Sequence, residues 1–309
     1  MIIVLENADF SAKNIGTVFI PRELNEFTLN AIALSGNSGM TTLQKQMLDI
    51  FFENIGAFGT KSNIWSKLDH VILPFICSDI TKATADYKTS AIKTIPASGY
   101  FALSAAGGIK ATQAATSSQA IAIDDSYDFD CEKTVLLLNT ESFIKPISSA
   151  KVWENGLFLS SYPTSAQVAN SYRTYGFGRG YSTTEPSYFN KVFAITRIAN
   201  NVYTGDDMLE HALSGLASEY GISANILTVS GNKVSAYINS TYVEMSVSKD
   251  YSAYEGSATA LYLSSQANGS YPSTNAAACG AAMIGSVLTK TEMETLKREV
   301  ETLYGAFHA

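Results

Sequence analysis

Apolar residues along this chain follow two different rhythms. Near the ends they recur every three to four positions. Between those ends they alternate with polar residues or run together in short blocks. Leu43, Met47, Ile50, Phe51 and Ile55 share one helical face, and Gly56 supplies a stop. Met293, Leu296, Val300 and Leu303 form a second stripe. Thr289 and Glu292 stand before it at the spacing of a capping box. The pattern predicts helices over 43–55 and 289–304. Short β runs are predicted at 68–76, 100–103, 119–123, 134–138, 157–160, 191–198, 226–229, 234–238, 242–247, 258–263 and 276–288. Gly231-Asn232 lies between two of these runs and is a turn pair that suits a tight hairpin. Residues 208–220 read as a further short helix. Many short strands punctuated by Gly, Asn and Ser predict a mainly β jelly-roll sandwich, with the last helix as its lid.

Residues 1–35 read as an extended arm. It is too poor in apolar surface to fold alone and would have to dock on a partner or on its own domain. Ile3, Leu5, Phe10, Ile15, Val18 and Phe19 are its candidate anchoring residues, and Pro21 ends the last apolar run. The expected organisation is an arm at 1–35, a helix and connector at 36–69, and a jelly roll at 70–309.

Composition narrows the function classes. Of 309 residues, 46% are hydrophobic, enough for a full core. Only 16% are charged, against about a quarter in an ordinary soluble domain, so Ser, Thr, Asn and Tyr must build much of the surface. The net charge of −7 and the lack of any Lys/Arg run exclude a nucleic-acid footprint. No apolar run approaches the ~20 residues of a membrane span. The first residues lack the basic and apolar regions of a signal peptide, so synthesis in a cytoplasm is expected. Cys77, Cys131 and Cys279 are dispersed and form no CxxC pair. They read as small buried hydrophobes. His70, His211 and His308 have no metal-site spacing, and no Gly-x-Ser-x-Gly elbow occurs.

Several segments together resemble a known family. Val234-Ser235-Ala236-Tyr237-Ile238-Asn239, then Met283-Ile284-Gly285, then Leu288-Thr289-x-x-Glu292-Met293-x-x-Leu296 resemble the close of a concanavalin A-like, laminin-G-type jelly roll. The 43–55 helix followed by Ile64-Trp65-Ser66-Lys67-Leu68-Asp69 is similar to members of that family in tailed bacteriophages and prophages. Ala8-Asp9-Phe10-Ser11-Ala12-Lys13-Asn14-Ile15-Gly16 resembles short openings of phage virion proteins. The resemblance implies a non-enzymatic virion protein, made in the bacterial host cytoplasm: a head or tail fibre, spike or decoration subunit. It implies other virion proteins as partners, assembly as a trimer or dimer, and contact with a host-surface glycan. It carries no catalytic residue onto this chain. Two other classes stay open, a lectin-like carbohydrate-binding module and a polysaccharide hydrolase. Against the hydrolase stands the lack of a Glu-x-Asp-x-x-Glu run on one strand.

Two segments carry candidate chemistry. Asp124, Asp125, Asp128 and Asp130 form the densest acidic cluster. It reads as a solvated loop, or as a Ca²⁺ site, the one cofactor the sequence suggests. Tyr172, Arg173, Tyr175, Phe177, Arg179 and Tyr181 read as an exposed aromatic loop that would touch a subunit or a sugar. Trp65 and Trp153 read as packing anchors.

Overall fold

The structure is a computed structural model that describes residues 22–59, 61–95, 101–112, 121–129, 132–140, 157–162, 173–180, 191–198, 223–238, 241–246, 257–263, 265–266, 271–272 and 278–308. Its helices are α1 (Glu26–Ser35), α2 (Thr42–Asn54), α3 (Ile64–Lys67) and α4 (Lys290–His308). The first strands are β1 (Leu68–Ile72), β2 (Ala85–Asp86), β3 (Ala91–Ile92), β4 (Phe101–Leu103), β5 (Ile109–Ala111), β6 (Ile121–Phe129), β7 (Thr134–Asn139), β8 (Leu157–Tyr162) and β9 (Arg173–Gly180). There follow β10 (Lys191–Ile198), β11 (Ser223–Ser230), β12 (Lys233–Ile238), β13 (Thr241–Ser246), β14 (Ser257–Leu263), β15 (Ser265–Gln266), β16 (Tyr271–Pro272) and β17 (Cys279–Gly285).

The fold is a mainly β jelly-roll sandwich closed by a C-terminal helix. The larger sheet runs β13-β12-β11-β7-β17-β1-β2-β3, with β5 also on β17 and β4 on β5. The smaller sheet runs β10-β9-β8-β14-β6. The chain crosses between them repeatedly, as it does from β6 to β7 and from β13 to β14. Strands β7 and β17 are buried at every position, so both their faces are covered. Gly285 permits the tight contact of β17 with β1. A Cβ there would sit 2.2 Å from the Lys67 carbonyl oxygen. The expected hairpin forms, with Ser230 paired to Lys233 around Gly231, whose φ is +55°.

Helix α4 begins as its sequence predicts. The Thr289 N–H donates to Glu292 Oε2 (2.7 Å), and the Glu292 N–H donates to Thr289 Oγ1 (3.3 Å). Met293, Leu296, Val300 and Leu303 are buried. The helix continues to His308, past the expected end at 304. It packs on α2 and on β7, β11 and β12. Polar links pin it at intervals: Lys67 Nζ to Glu292 at 2.7 Å, and Asn54 Nδ2 to Glu299 at 2.9 Å.

Helix α2 starts one residue earlier than expected, at a capping box formed by Thr41 and Gln44. Its buried face is also rotated. Leu48, Phe51, Phe52 and Ile55 are the buried apolar residues, while Leu43 is 48% exposed. The cause is α1. Phe27 of α1 meets Phe52 edge-on at 4.8 Å and Trp65 at 5.2 Å. The buried Asp49 of α2 accepts from the Asn25 N–H (2.9 Å) and Thr28 Oγ1 (2.7 Å), and also pairs with Arg22. Polar positions of α2 are thus buried against the residues that start α1. The arm expected over 1–35 is corrected accordingly: its last third is α1, started by the Asn25 side chain and ended by Gly36 at φ +67°. Residues 1–21, which include Ile3, Leu5, Phe10, Ile15, Val18 and Phe19, lie outside the described residues.

Other expectations shift for local reasons. The strand expected over 68–76 stops at Ile72, and Pro74 opens a 3₁₀ turn through Ile76. The acidic run expected as a loop is strand β6 as far as Phe129. The aromatic segment expected as a loop is strand β9, paired on both sides. The helix expected over 208–220 and Trp153 lie outside the described residues.

Removing the Phe52 ring should cost about 3–5 kcal/mol in Phe52→Ala, whereas Leu43→Ala should change stability by less than about 0.5 kcal/mol. Urea unfolding followed by circular dichroism measures both. Equal costs would contradict the rotated face of α2.

Candidate functional site

Polar chemistry gathers where the two sheets meet. On β1, Leu68 pairs with Gly285 and His70 with Ile284, so Asp69 is an extra residue in the ladder. Such a bulge re-aims side chains. Here both Asp69 and His70 engage β6. Tyr127 Oη donates to Asp69 Oδ2 at 2.6 Å, and His70 Nε2 lies 3.3 Å from Asp124 Oδ2. The His70 and Tyr127 rings sit 5.4 Å apart. Strand β6 is itself irregular against β14, with register shifts on either side of Leu261. Asp124 is held there by the Ser126 N–H, which donates to its Oδ1 at 2.9 Å.

The other ring nitrogen of His70 faces the interior. Nδ1 lies 2.8 Å from Asp86 Oδ2 on β2. The Asp86 carboxylate also accepts from the Val71 N–H (3.0 Å), the Lys88 N–H (3.1 Å) and Thr89 Oγ1 (2.8 Å). Burial pushes the Asp86 carboxyl up, but the bonds from His70, Val71 and Thr89 outweigh it and hold the group below the ordinary carboxylate range. Lys133 Nζ closes the cluster, 3.9 Å from Asp69 Oδ2 and 5.4 Å from the centre of the Tyr127 ring.

This arrangement is a fastening between sheets. The His70 side chain is 5% exposed and that of Asp86 is 0% exposed, so a substrate reaches neither. Each imidazole nitrogen has a carboxylate partner, which leaves no nitrogen to serve as a base toward an outside proton. Cysteine chemistry is also shut off at the described thiols. Burial pushes Cys77 up to about 12 and raises Cys279 as well, so neither supplies thiolate at neutral pH.

The described members of the acidic run stand differently. Asp124 turns to His70, Asp125 is exposed, Asp128 lies on β6, and Asp130 lies outside the described residues. Among the described residues no group of three His, Cys, Asp or Glu side chains is arranged to hold a metal ion. No described helix is long and apolar enough to cross a membrane.

Register places the aromatic segment. Residues directly opposite one another in a ladder share a face. Leu261 and Leu263, both fully buried, pair with Ser161 and Leu159, and these pair with Tyr175 and Phe177. Arg173 and Arg179 fall on that same face by alternation. These four positions therefore share the register face of Leu261 and Leu263, in a strand where the sequence predicted a loop. Tyr172 and Tyr181 flank β9 outside the described residues.

The opposite face of β9 carries Thr174, Gly176, Gly178 and Gly180. Phe158 of β8 and Phe193 of β10 stand opposite Gly178, one on each side. Ser160 and Ile195 flank Gly176 in the same way, and Tyr262 pairs with Ser160. Strand β9 therefore lays a row of bare backbone along this face, with aromatic positions on both neighbouring strands. Glycine inside a strand marks a place where something approaches the backbone closely.

No protein-family model matches this chain, and no curated protein matches it. Solved structures are similar at low identity. The CBM40 of the Ruminococcus gnavus IT-sialidase bound to α2,3-sialyllactose has a TM-score of 0.37 at 9% identity, covering 60% of this chain and 96% of its own. Alginate lyase Aly36B in complex with alginate tetrasaccharide has a TM-score of 0.37 at 10% identity, covering 70% and 93%. Alginate lyase A1-II′, a member of polysaccharide lyase family 7, has a TM-score of 0.31 at 10% identity, covering 72% and 92%. None of these three is a virion protein. Similarity at this level says nothing about activity.

Sequence reasoning missed the His70–Asp86 pair and the glycine face. The available signal for the first was a charged pair, Asp69-His70, inside an otherwise apolar run. For the second it was Gly at every other position of 176–180.

Asp86→Asn should destabilise the protein by about 1–3 kcal/mol at pH 7. The Asp86 carboxyl is lowered on folding, so its stabilisation is complete above the unfolded value near 4 and is lost as pH falls through the folded value. Unfolding titrations from pH 7 to pH 2 should show the gap between the two proteins closing below about pH 4. A gap independent of pH would contradict the ion pair.

Proposed function

We propose that this protein is a non-catalytic glycan-binding β sandwich that uses the outer face of its smaller sheet. The observation that carries this reading is the backbone row at Gly176, Gly178 and Gly180, with Phe158 and Phe193 in register on either side of Gly178. A sugar ring has a flat apolar side that stacks on aromatic faces, and hydroxyls that bond polar backbone and side-chain groups. A floor without side chains lets an extended chain of such rings lie close to the sheet. The low charged fraction and the many Tyr, Ser and Thr residues suit recognition of this kind. The non-catalytic part of the proposal is in keeping with the His70–Asp86 cluster, which is enclosed and serves the sandwich. A virion location for such a module rests on the sequence resemblance alone.

The test is affinity electrophoresis and calorimetry against a polysaccharide panel. Wild-type protein should bind at least one polymer and release no new reducing or unsaturated ends from it. Phe158→Ala with Phe193→Ala should weaken binding about tenfold, roughly the value of two stacked rings, with unchanged thermal unfolding. Gly178→Val should abolish binding by raising the floor. Turnover of a bound polymer, or undiminished binding by all variants, would overturn the proposal.

A further inference from the structure

Both ring nitrogens of His70 face carboxylate oxygens. Nδ1 lies 2.8 Å from Asp86 Oδ2 on β2, and Nε2 lies 3.3 Å from Asp124 Oδ2 on β6. A neutral imidazole has one N–H and one bare lone pair, and an ionised carboxylate only accepts. Neutral His70 can therefore bond one of these carboxylates and must turn a lone pair toward the other. The imidazolium donates to both. The charges packed around the ring favour that form. Asp69 stands beside it on β1, with Asp86 on β2 and Asp124 on β6. Against these carboxylates stand Lys133, 3.9 Å from Asp69, and Lys88, which interacts with Asp69 and Asp86. The Tyr127 ring adds no charge, and Asp125 is exposed. A charged imidazole balances the carboxylates that the two lysines leave over.

We infer that His70 is a proton-operated link between the sheets: as the imidazolium it ties β1 to both β2 and β6, and on losing one proton it releases β6. The two arms differ in what replaces a lost donor. The Asp86 side chain is 0% exposed and that of Asp124 is 34% exposed. Water can take the place of Nε2 at Asp124 but has no access to Asp86, so the proton that leaves is the one on Nε2. The bond from Nδ1 and the other donors to Asp86 then stay in place. Between β1 and β6 the Tyr127–Asp69 bond remains. The link stabilises the protein at lower pH, and its contribution is lost as pH rises and the ring becomes neutral. Among the described strands β6 pairs only with β14 in the smaller sheet, so the release loosens one strand and leaves the rest of that sheet joined.

Histidine-selective ¹⁵N labelling of the full chain reads the ring directly. His211→Gln and His308→Gln remove the other two histidine signals in turn and assign His70 without altering it. From about pH 5 to about pH 9 the His70 ring should pass from protonation at both nitrogens to protonation at Nδ1 alone. Thermal unfolding of the wild type and Asp124→Asn over the same range tests the release. The wild type should be the more stable at the acid end, where it has the charged pair. The order should reverse at the alkaline end, because the introduced amide can donate to the bare Nε2. A ring that keeps one protonation state throughout, loss of the Nδ1 proton first, or a difference between the two proteins that does not change with pH would each overturn the inference.

Discussion

The covering of β7 and β17 on both faces is the constraint from which the rest of the architecture follows. These strands read Thr-Val-Leu-Leu-Leu-Asn and Cys-Gly-Ala-Ala-Met-Ile-Gly, and all their positions are buried. A strand with no polar side cannot lie at a surface, so the larger sheet needs a layer on each side. Helices α2 and α4 supply one layer. Their apolar stripes meet each other, α4 lies on β7, β11 and β12, and the polar links Lys67–Glu292, Asn54–Glu299 and Ala224 N–H to Glu301 fix the angle at which α4 lies. The smaller sheet contributes Ile121, Ile123, Tyr127, Leu261 and Leu263 to the same core. One sheet is thus enclosed between two layers.

The polar fastening has to be understood against that apolar core. A buried carboxylate without partners would cost several kcal/mol. Asp86 is tolerated because four donors converge on it, and His70 carries the chain of bonds outward to Asp124 at the rim. Such a network adds little net stability compared with apolar packing, but it is satisfied in one register only. A slip of β6 by one residue would exchange Asp124 for its neighbours and leave Nε2 of His70 facing Ile123 or Asp125. The two bulges, at Asp69 and around Asp124, are the distortions that let β1 and β6 meet here.

How much was legible in the sequence depended on whether a local rule was free of tertiary competition. Thr289, Glu292 and the stripe after them gave α4 because the cap and the apolar face agree. Gly231-Asn232 gave the hairpin because the turn alone fixes register. Helix α1 was not legible: its apolar residues, Phe27, Leu29, Ala31, Ile32 and Leu34, make no single stripe, and Leu29 is half-exposed. The buried face of α2 was misread for the same reason, since Asp49 and Gln46 look like surface residues until the 22–28 segment supplies their partners. The acidic run looked like a loop because charge suggests solvent. It is an edge strand whose carboxylate Asp124 is matched by a histidine some fifty residues earlier in the chain. Aromatic residues on β9 suggested a contact loop, and pairing with β8 and β10 makes the segment a strand. Distant pairing decided each of these cases, and spacing along the chain carries no record of it.

The register of β9 also gathers its glycines on one side. Alternation obliges a strand that commits Arg173, Tyr175, Phe177 and Arg179 to one face to commit Thr174, Gly176, Gly178 and Gly180 to the other. Glycine in the middle of a strand is unfavourable by roughly 0.5–1 kcal/mol relative to Ala, because more freedom is lost on folding. Three such residues in succession on one face, in a strand paired on both sides, are not what stability alone would select. Gly280 and Gly285 show the structural use of glycine in this chain: a Cβ at either would collide with Thr140 or Lys67. On the glycan-binding proposal, Gly176, Gly178 and Gly180 leave room for a ligand against the backbone, and an extended, flat molecule is the class whose fit would offset that cost.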